Sequence, residues 1–237
     1  QDAGGNTVTS SSQLSVTVSA NEGTLTGTKT VLVAATGDAA FTDLKINEAK
    51  TGYVLTFSHT SSGSATAITV ASAAFEVTVG PTAKLAVTRQ AAGAVGGVVF
   101  TTQPKVTVQD AGGNTVTSAA VTVTASLNKG DLDGGRVLES SSGVVSWTDL
   151  RINRTDTGYI LKFTSSDGSL TVDGNTFNVN VGSPLLVVVR QAAGATGGTA
   201  FTTQPQVALR DLGHNAVTGS TISILTASCV NQEVLGG

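Results

Sequence analysis

Along most of the chain, apolar and polar residues alternate over short runs, and each run closes on a cluster of Gly, Ser, Thr, Asn or Asp. A period of two puts every second side chain on one face of an extended strand, so the runs read as strands. No segment carries the 3.6-residue period of an amphipathic helix. In the stretch 82–182 the first strand covers 84–88, and the second lies within 98–109 with Val106 and Val108 on one face. Val121 and Val123 mark the third, and Val137 and Leu138 a short fourth. The fifth runs over 145–152, where the apolar phase slips between Trp147 and Leu150 and predicts a bulge near Asp149. Tyr159, Leu161 and Phe163 alternate along the sixth, and Phe177, Val179 and Val181 along the seventh. The segment Asp110-Ala-Gly-Gly113-Asn114 is a structural turn: the Asp carboxylate can take backbone N–H groups, and Gly or Asn accepts a positive φ. About seven short strands separated by tight turns predict an all-β, antiparallel β-sandwich, with Trp147, Tyr159 and Phe163 in its core.

The pattern repeats. Gln1-Asp-Ala-Gly-Gly-Asn-Thr-Val-Thr-Ser10 recurs unchanged from Gln109 to Ser118. Arg89-Gln-Ala-Ala-Gly-Ala-Val-Gly-Gly97 is matched by Arg190-Gln-Ala-Ala-Gly-Ala-Thr-Gly-Gly198, and both continue into Phe-Thr-Thr-Gln-Pro. Phe41-Thr-Asp-Leu-Lys-Ile-Asn47 matches Trp147-Thr-Asp-Leu-Arg-Ile-Asn153, and Thr51-Gly-Tyr-Val-Leu55 matches Thr157-Gly-Tyr-Ile-Leu161. Phe41, Tyr53 and Phe57 are therefore expected in a second core. A period of about 100 residues describes an array of domains rather than a solenoid of short repeats.

Three motifs carry a resemblance: Gln103-Pro-x-Val-x-Val-x-Asp-x-x-Gly-Asn114, Trp147-Thr-Asp-Leu-x-Ile152 and Gly158-Tyr-x-Leu161. With them the chain resembles tandem immunoglobulin-like repeats of bacterial-type surface proteins, as in the stalks of invasin-like adhesins and extracellular fibrils. The resemblance implies tandem sandwiches, no enzymatic activity, and a place outside the cell or on its surface. Asp156-Thr-Gly-Tyr159 is similar to the tyrosine corner of such folds.

The repeat divides the chain into 1–81, a domain expected to lack its first two strands, 82–182, a complete domain, and 183–237, the first strands of a third. Two accounts fit. In one, a neighbouring subunit's segment 183–237 completes 1–81, through Leu185, Val187, Val189, Val207 and Leu209. Copies then join head to tail in a filament, because such a contact does not close on itself. In the other, the chain is a window on a longer array: an adhesin stalk, or a ligand-binding module. Gly80-Pro81 and Gly182-Ser-Pro184 join the repeats without a flexible linker, which predicts a stiff rod. The third copy breaks pattern at Ile222, Ile224 and Leu225 and at Asn231-Gln-Glu233.

Composition narrows the chemistry. Of 237 residues only 12% are charged, and the net charge is −3. That argues against nucleic acid, which demands a dense basic surface. No apolar run is long enough for a membrane-spanning helix. The absence of Met reads as a chain without its translated start, through a cleaved leader or as a fragment. His59 and His214 read as exposed loop residues, and no spacing suits zinc. Asp131 and Asp133 are too sparse for calcium, and the Gly-rich runs precede strands rather than the helix that a phosphate site requires. No cofactor is expected. Asn153-Arg-Thr155 is the chain's Asn-x-Thr sequon, a glycan acceptor or a chance match. Outward threonines (Thr107, Thr122 and Thr124) suit β propensity and would also suit O-linked sugar. Cys229 has no internal partner: it is a small buried hydrophobe, an intermolecular bridge or a reactive thiol.

Overall fold

The alternation is realised as strands throughout: among the described residues every regular element is a β-strand, and every pairing of named strands is antiparallel. The computed structural model describes Gly4 and residues 14–60, 66–219 and 226–228. The sheets fall into three consecutive blocks, called here the first, central and third units.

The first unit contains β1 (Ser15–Ala20), β2 (Leu25–Thr26), β3 (Thr30–Leu32), β4 (Lys45–Ile46), β5 (Lys50–Tyr53), β6 (Leu55–His59), β7 (Ile68–Ala71) and β8 (Phe75–Val77). Its main sheet runs β3-β1-β6-β7, with β2-β4 and β5-β8 as separate pairs. The central unit contains β9 (Lys84–Arg89), β10 (Lys105–Gln109), β11 (Thr122–Leu127), β12 (Val137–Glu139), β13 (Val144–Ser146), β14 (Asp156–Tyr159), β15 (Leu161–Ser165), β16 (Thr171–Asp173) and β17 (Phe177–Val179). Here the sheets are β13-β10-β9, β12-β11-β15-β16 and the pair β14-β17. The third unit is the pair β18 (Leu185–Arg190) and β19 (Gln206–Arg210).

The central sheets share one buried cluster. Val106 and Val108 of β10 enter it from one side, and Val123 of β11 and Phe163 of β15 from the other, all at 0% exposure. Trp147 packs on Phe163 with ring centroids 4.9 Å apart, and its indole N–H donates to the Arg136 carbonyl. Burial of side chains this size is the main favourable term in a fold with few charges. The Tyr159 hydroxyl donates to the carbonyl of Arg154 at 3.0 Å, and Tyr53 does the same to Glu48.

Four local expectations need correction. The fifth strand does not run to Ile152 through a bulge. It ends at Ser146, and the Asp149 carboxylate is turned to accept the Gly135 N–H at 3.0 Å. The sixth strand is two strands, because the chain changes sheets at Ile160. Asn128 takes the Ile160 N–H into its Oδ1 and donates to the Gly158 carbonyl, which removes Ile160 from either ladder. The seventh shortens to β17, leaving Val181 exposed, with β16 pairing separately to β15. Thr107 lies on the face of β10 opposite Val106 and Val108, as expected, but that face is covered, and at 8% exposure Thr107 is buried rather than open to a sugar.

Candidate assembly surfaces

Two kinds of surface stand out. The first is a joint between units. Asp110 and Asn114 hold their own turn closed: Asp110 Oδ1 accepts the Asn114 N–H at 2.8 Å, and both carboxylate oxygens receive Asn114 Nδ2. The same groups reach back to the preceding unit. The Gly80 N–H donates to Asp110 Oδ2 at 2.9 Å, the Ala49 N–H donates to Asn114 Oδ1 at 2.8 Å, and Asn114 Nδ2 donates to the Asn47 carbonyl at 2.7 Å. The next joint repeats this bond for bond. Gly182 N–H meets Asp211 Oδ2 at 3.0 Å, Thr155 N–H meets Asn215 Oδ1 at 3.0 Å, and Asn215 Nδ2 meets the Asn153 carbonyl at 2.6 Å.

The turn is thus a clasp as well as a turn. Gly112 and Gly213 are required by close approach, since a Cβ on either would collide with the carbonyl of Asn47 or Asn153. Gly113 has φ 97°, and its counterpart His214 sits at φ 64°. Hydrogen bonds from Asn114 and then from the Gly80 N–H hold the Asp110 carboxyl down at about 2, against the opposing effect of burial. For Asp211 burial opposes ionisation most strongly, yet hydrogen bonds from Gly182 and Asn215 still lower its pKa.

The second kind of surface is apolar. Leu150, Ile152 and Leu161 are sealed in the central core. Their counterparts Leu44, Ile46 and Leu55, with Leu25, Phe75 and Val77, line an open cleft of about 310 Å³ in the first unit. Tyr53 is fully buried as expected, but Phe41 and Phe57, with ring centroids 5.5 Å apart and planes tilted by 50°, are only half-buried. In the central unit the corresponding side is closed by β9, β10 and the loop carrying Phe100. The third unit holds copies of those elements, with their apolar faces in solvent: Leu186 is 57% exposed, Val188 51%, Val207 40% and Phe201 42%.

The register relates the two faces of β18 to those of β9. Leu85 pairs with Val108 and Val87 with Val106, and Leu186 with Leu209 and Val188 with Val207. The face of β18 that corresponds to the buried face of β9 therefore carries Leu186 and Val188. Leu185, Val187 and Val189 lie on the other face, a one-residue slip that reverses a strand. Val207 and Leu209 of β19 lie on the same face as Leu186 and Val188.

Asn153 is exposed, and its Nδ2, the atom a glycan would take, donates to Asp133 at 2.7 Å. His59 is half-buried at the end of β6, not in a loop, and its Nδ1 bonds the Ser15 carbonyl at 2.7 Å; His214 is exposed in the clasp turn. Among the described residues no group of three or more His, Cys, Asp or Glu side chains could hold a metal ion, and no helix is long and apolar enough to cross a membrane. Cys229, residues 222–225 and 231–233, and the copy 1–10 apart from Gly4 lie outside the described residues. No protein-family model and no curated protein matches the chain.

Proposed function

We propose that this chain is a structural, non-enzymatic subunit of an extracellular filament, assembled head to tail from immunoglobulin-like sandwiches by strand complementation between copies. The observation that carries the reading is the match between the first unit's cleft and the exposed face of β18 and β19. Each is half of a core that the central unit holds whole. Seating Leu186, Val188, Val207 and Phe201 over Leu44, Ile46 and Leu55 removes apolar surface from both partners, and the added strands contribute main-chain hydrogen bonds. The tyrosine-corner bond of Tyr159 and the single core shared by the central sheets support the immunoglobulin-like description. The clasps support a stiff rod. The partners of the chain are then further copies of itself, with sugar on the exposed Thr/Ser surface or at Asn153 compatible with the same placement; neither a cofactor nor nucleic acid has a part in it.

Electron microscopy and sedimentation over a range of concentrations test the proposal. Filaments that lengthen with concentration, and that are lost in Val207→Asp, are the expected result. Dispersed monomers at high concentration overturn it. They would favour a second reading that the recurrence of the clasp also supports: a stalk segment whose cleft is covered by a neighbouring part of the same polypeptide.

A further inference from the structure

In the central unit, the loop between β9 and β10 is held from two sides. Towards its own unit, the Gly96 N–H donates to the Asn180 carbonyl at 2.9 Å and the Gly97 N–H donates to the Ile152 carbonyl at 3.0 Å. On its other side lies the clasp of the following unit. A Cβ on Gly96 would collide with the Asp211 carboxylate, and one on Gly97 with the backbone of Leu212 and Gly213. Both glycines are buried. The loop is a wedge between a unit's edge and the clasp of the next unit.

At the joint between the first and central units, the clasp is present and no described residue takes the place of the wedge. Ile46, Asn47, Val77, Thr78 and Gly80 face Ala111 and Gly112 across an open cleft of about 220 Å³. Ile46 and Thr78 are the counterparts of Ile152 and Asn180, the two residues whose carbonyls hold the wedge. The third unit carries a second copy of the wedge, Ala193-Gly-Ala-Thr-Gly-Gly198. Its Gly197 and Gly198 are exposed, and a Cβ on either meets nothing within 4 Å.

We propose that the loop around Gly197 and Gly198 of one copy seats in this cleft of the next, beneath the Asp110–Asn114 clasp. The proposal rests on the head-to-tail reading and goes beyond it: the donated segment touches both the first and the central unit of its acceptor. The Gly197 N–H then faces the Thr78 carbonyl, the Gly198 N–H faces the Ile46 carbonyl, and the Asp110 carboxylate lies against Gly197 as Asp211 lies against Gly96. Docking of the donor thereby adds to the stiffness that the clasp already gives the acceptor's first joint. A requirement for glycine in the docked state accounts for Gly197, which nothing in the isolated chain demands, whereas the φ of 79° at Gly198 already favours glycine there.

Gly197→Val tests this. Gly197 does not have the left-handed φ of Gly198, so the side chain costs the isolated chain no strain. Thermal stability and the emission of Trp147, the chain's single tryptophan, should match the parent. The variant should fail to polymerise at ten times the parent's critical concentration. It keeps an intact acceptor cleft, so a small fraction mixed into parent chains should cap filaments and shorten them. If the parent polymerises and Gly197→Val polymerises equally well, the wedge proposal is overturned and strand complementation stands. A variant that neither polymerises nor caps also overturns it, since the lesion is then not confined to the donor. If the parent itself does not polymerise, the head-to-tail reading falls, and the wedge falls with it.

Discussion

Asn114 donates its side-chain amide to the carbonyl oxygen of Asn47, 2.7 Å away in the preceding unit. Through its Oδ1 the same side chain accepts the Ala49 N–H, so one amide satisfies a donor and an acceptor of a neighbouring backbone at once. Asp110 orients it by receiving its Nδ2 on both carboxylate oxygens. A bidentate contact of this kind fixes direction as well as distance, and this makes a joint with no flexible linker into a stiff one.

Asn114→Ala should therefore loosen the joint while leaving each unit folded. It removes two hydrogen bonds between units, each worth about 1 kcal/mol, so the joint weakens by about 2 kcal/mol. Small-angle scattering should show a broader distribution of end-to-end distances. A profile that superposes on the parent's would remove the clasp from its role as a stiffener.

Acid should open the same joint late. The carboxyl of Asp110 ionises at about 2 in the folded chain against an ordinary value of 3.8. A depressed value means that folding favours the ionised form. The stabilisation is therefore complete above the ordinary value and is lost as pH falls from about 4 towards 2. Asp211 is shifted in the same direction. Scattering dimensions should stay constant from pH 7 to about 4 and spread below that. In Asp110→Asn the first joint should lose this acid dependence; an unchanged profile would assign the transition to other carboxylates.

His214 occupies the position of Gly113 with φ 64°, a conformation that costs an L-residue about 1 kcal/mol. His214→Gly should relieve that strain and raise the stability of the second joint by up to about 1 kcal/mol. The His214 contact to Arg210 runs through its backbone carbonyl and survives the change. Calorimetry of the single variant checks the sign, and a loss of stability would mean that the imidazole itself contributes to the clasp.

The first four central strands, the antiparallel pairing and the core of Trp147, Tyr159 and Phe163 were legible in the sequence because burial and period two act on neighbouring positions. The exchange of sheets at Ile160 was not, because it depends on Asn128, a polar residue far along the chain whose side chain replaces ladder bonds. The role of Asp110 was half legible. Its local turn follows from residue type, but its bond to Gly80 joins separate units and leaves no periodic trace. The face of β18 that corresponds to the buried face of β9 was not legible because Leu185 to Val189 are apolar without interruption, so alternation gives no phase. Only pairing with β19 sets it.

Gln103 and Gln204 offer the sharpest contrast between a closed unit and an open one. Buried Gln103 donates to the Phe100 and Leu150 carbonyls at 3.2 and 2.9 Å and accepts the Leu150 N–H at 3.1 Å. Gln103→Leu strands the Phe100 carbonyl and the Leu150 N–H in a dry interior, while the Leu150 carbonyl keeps the Phe100 N–H at 3.0 Å; the loss costs about 2–3 kcal/mol. Gln204 is exposed; its side chain donates to the Phe201 carbonyl, and its backbone carbonyl, which accepts from Arg190, survives substitution, so Gln204→Leu should shift the isolated chain's stability by less than about 0.5 kcal/mol. In a filament Gln204 would meet the backbone of Leu44, the counterpart of Leu150, and the same substitution should then raise the critical concentration by at least tenfold. Thermal melts of the two monomeric variants, paired with sedimentation of Gln204→Leu, measure both halves. A Gln204→Leu chain that polymerises like the parent would show that this glutamine plays no part between copies.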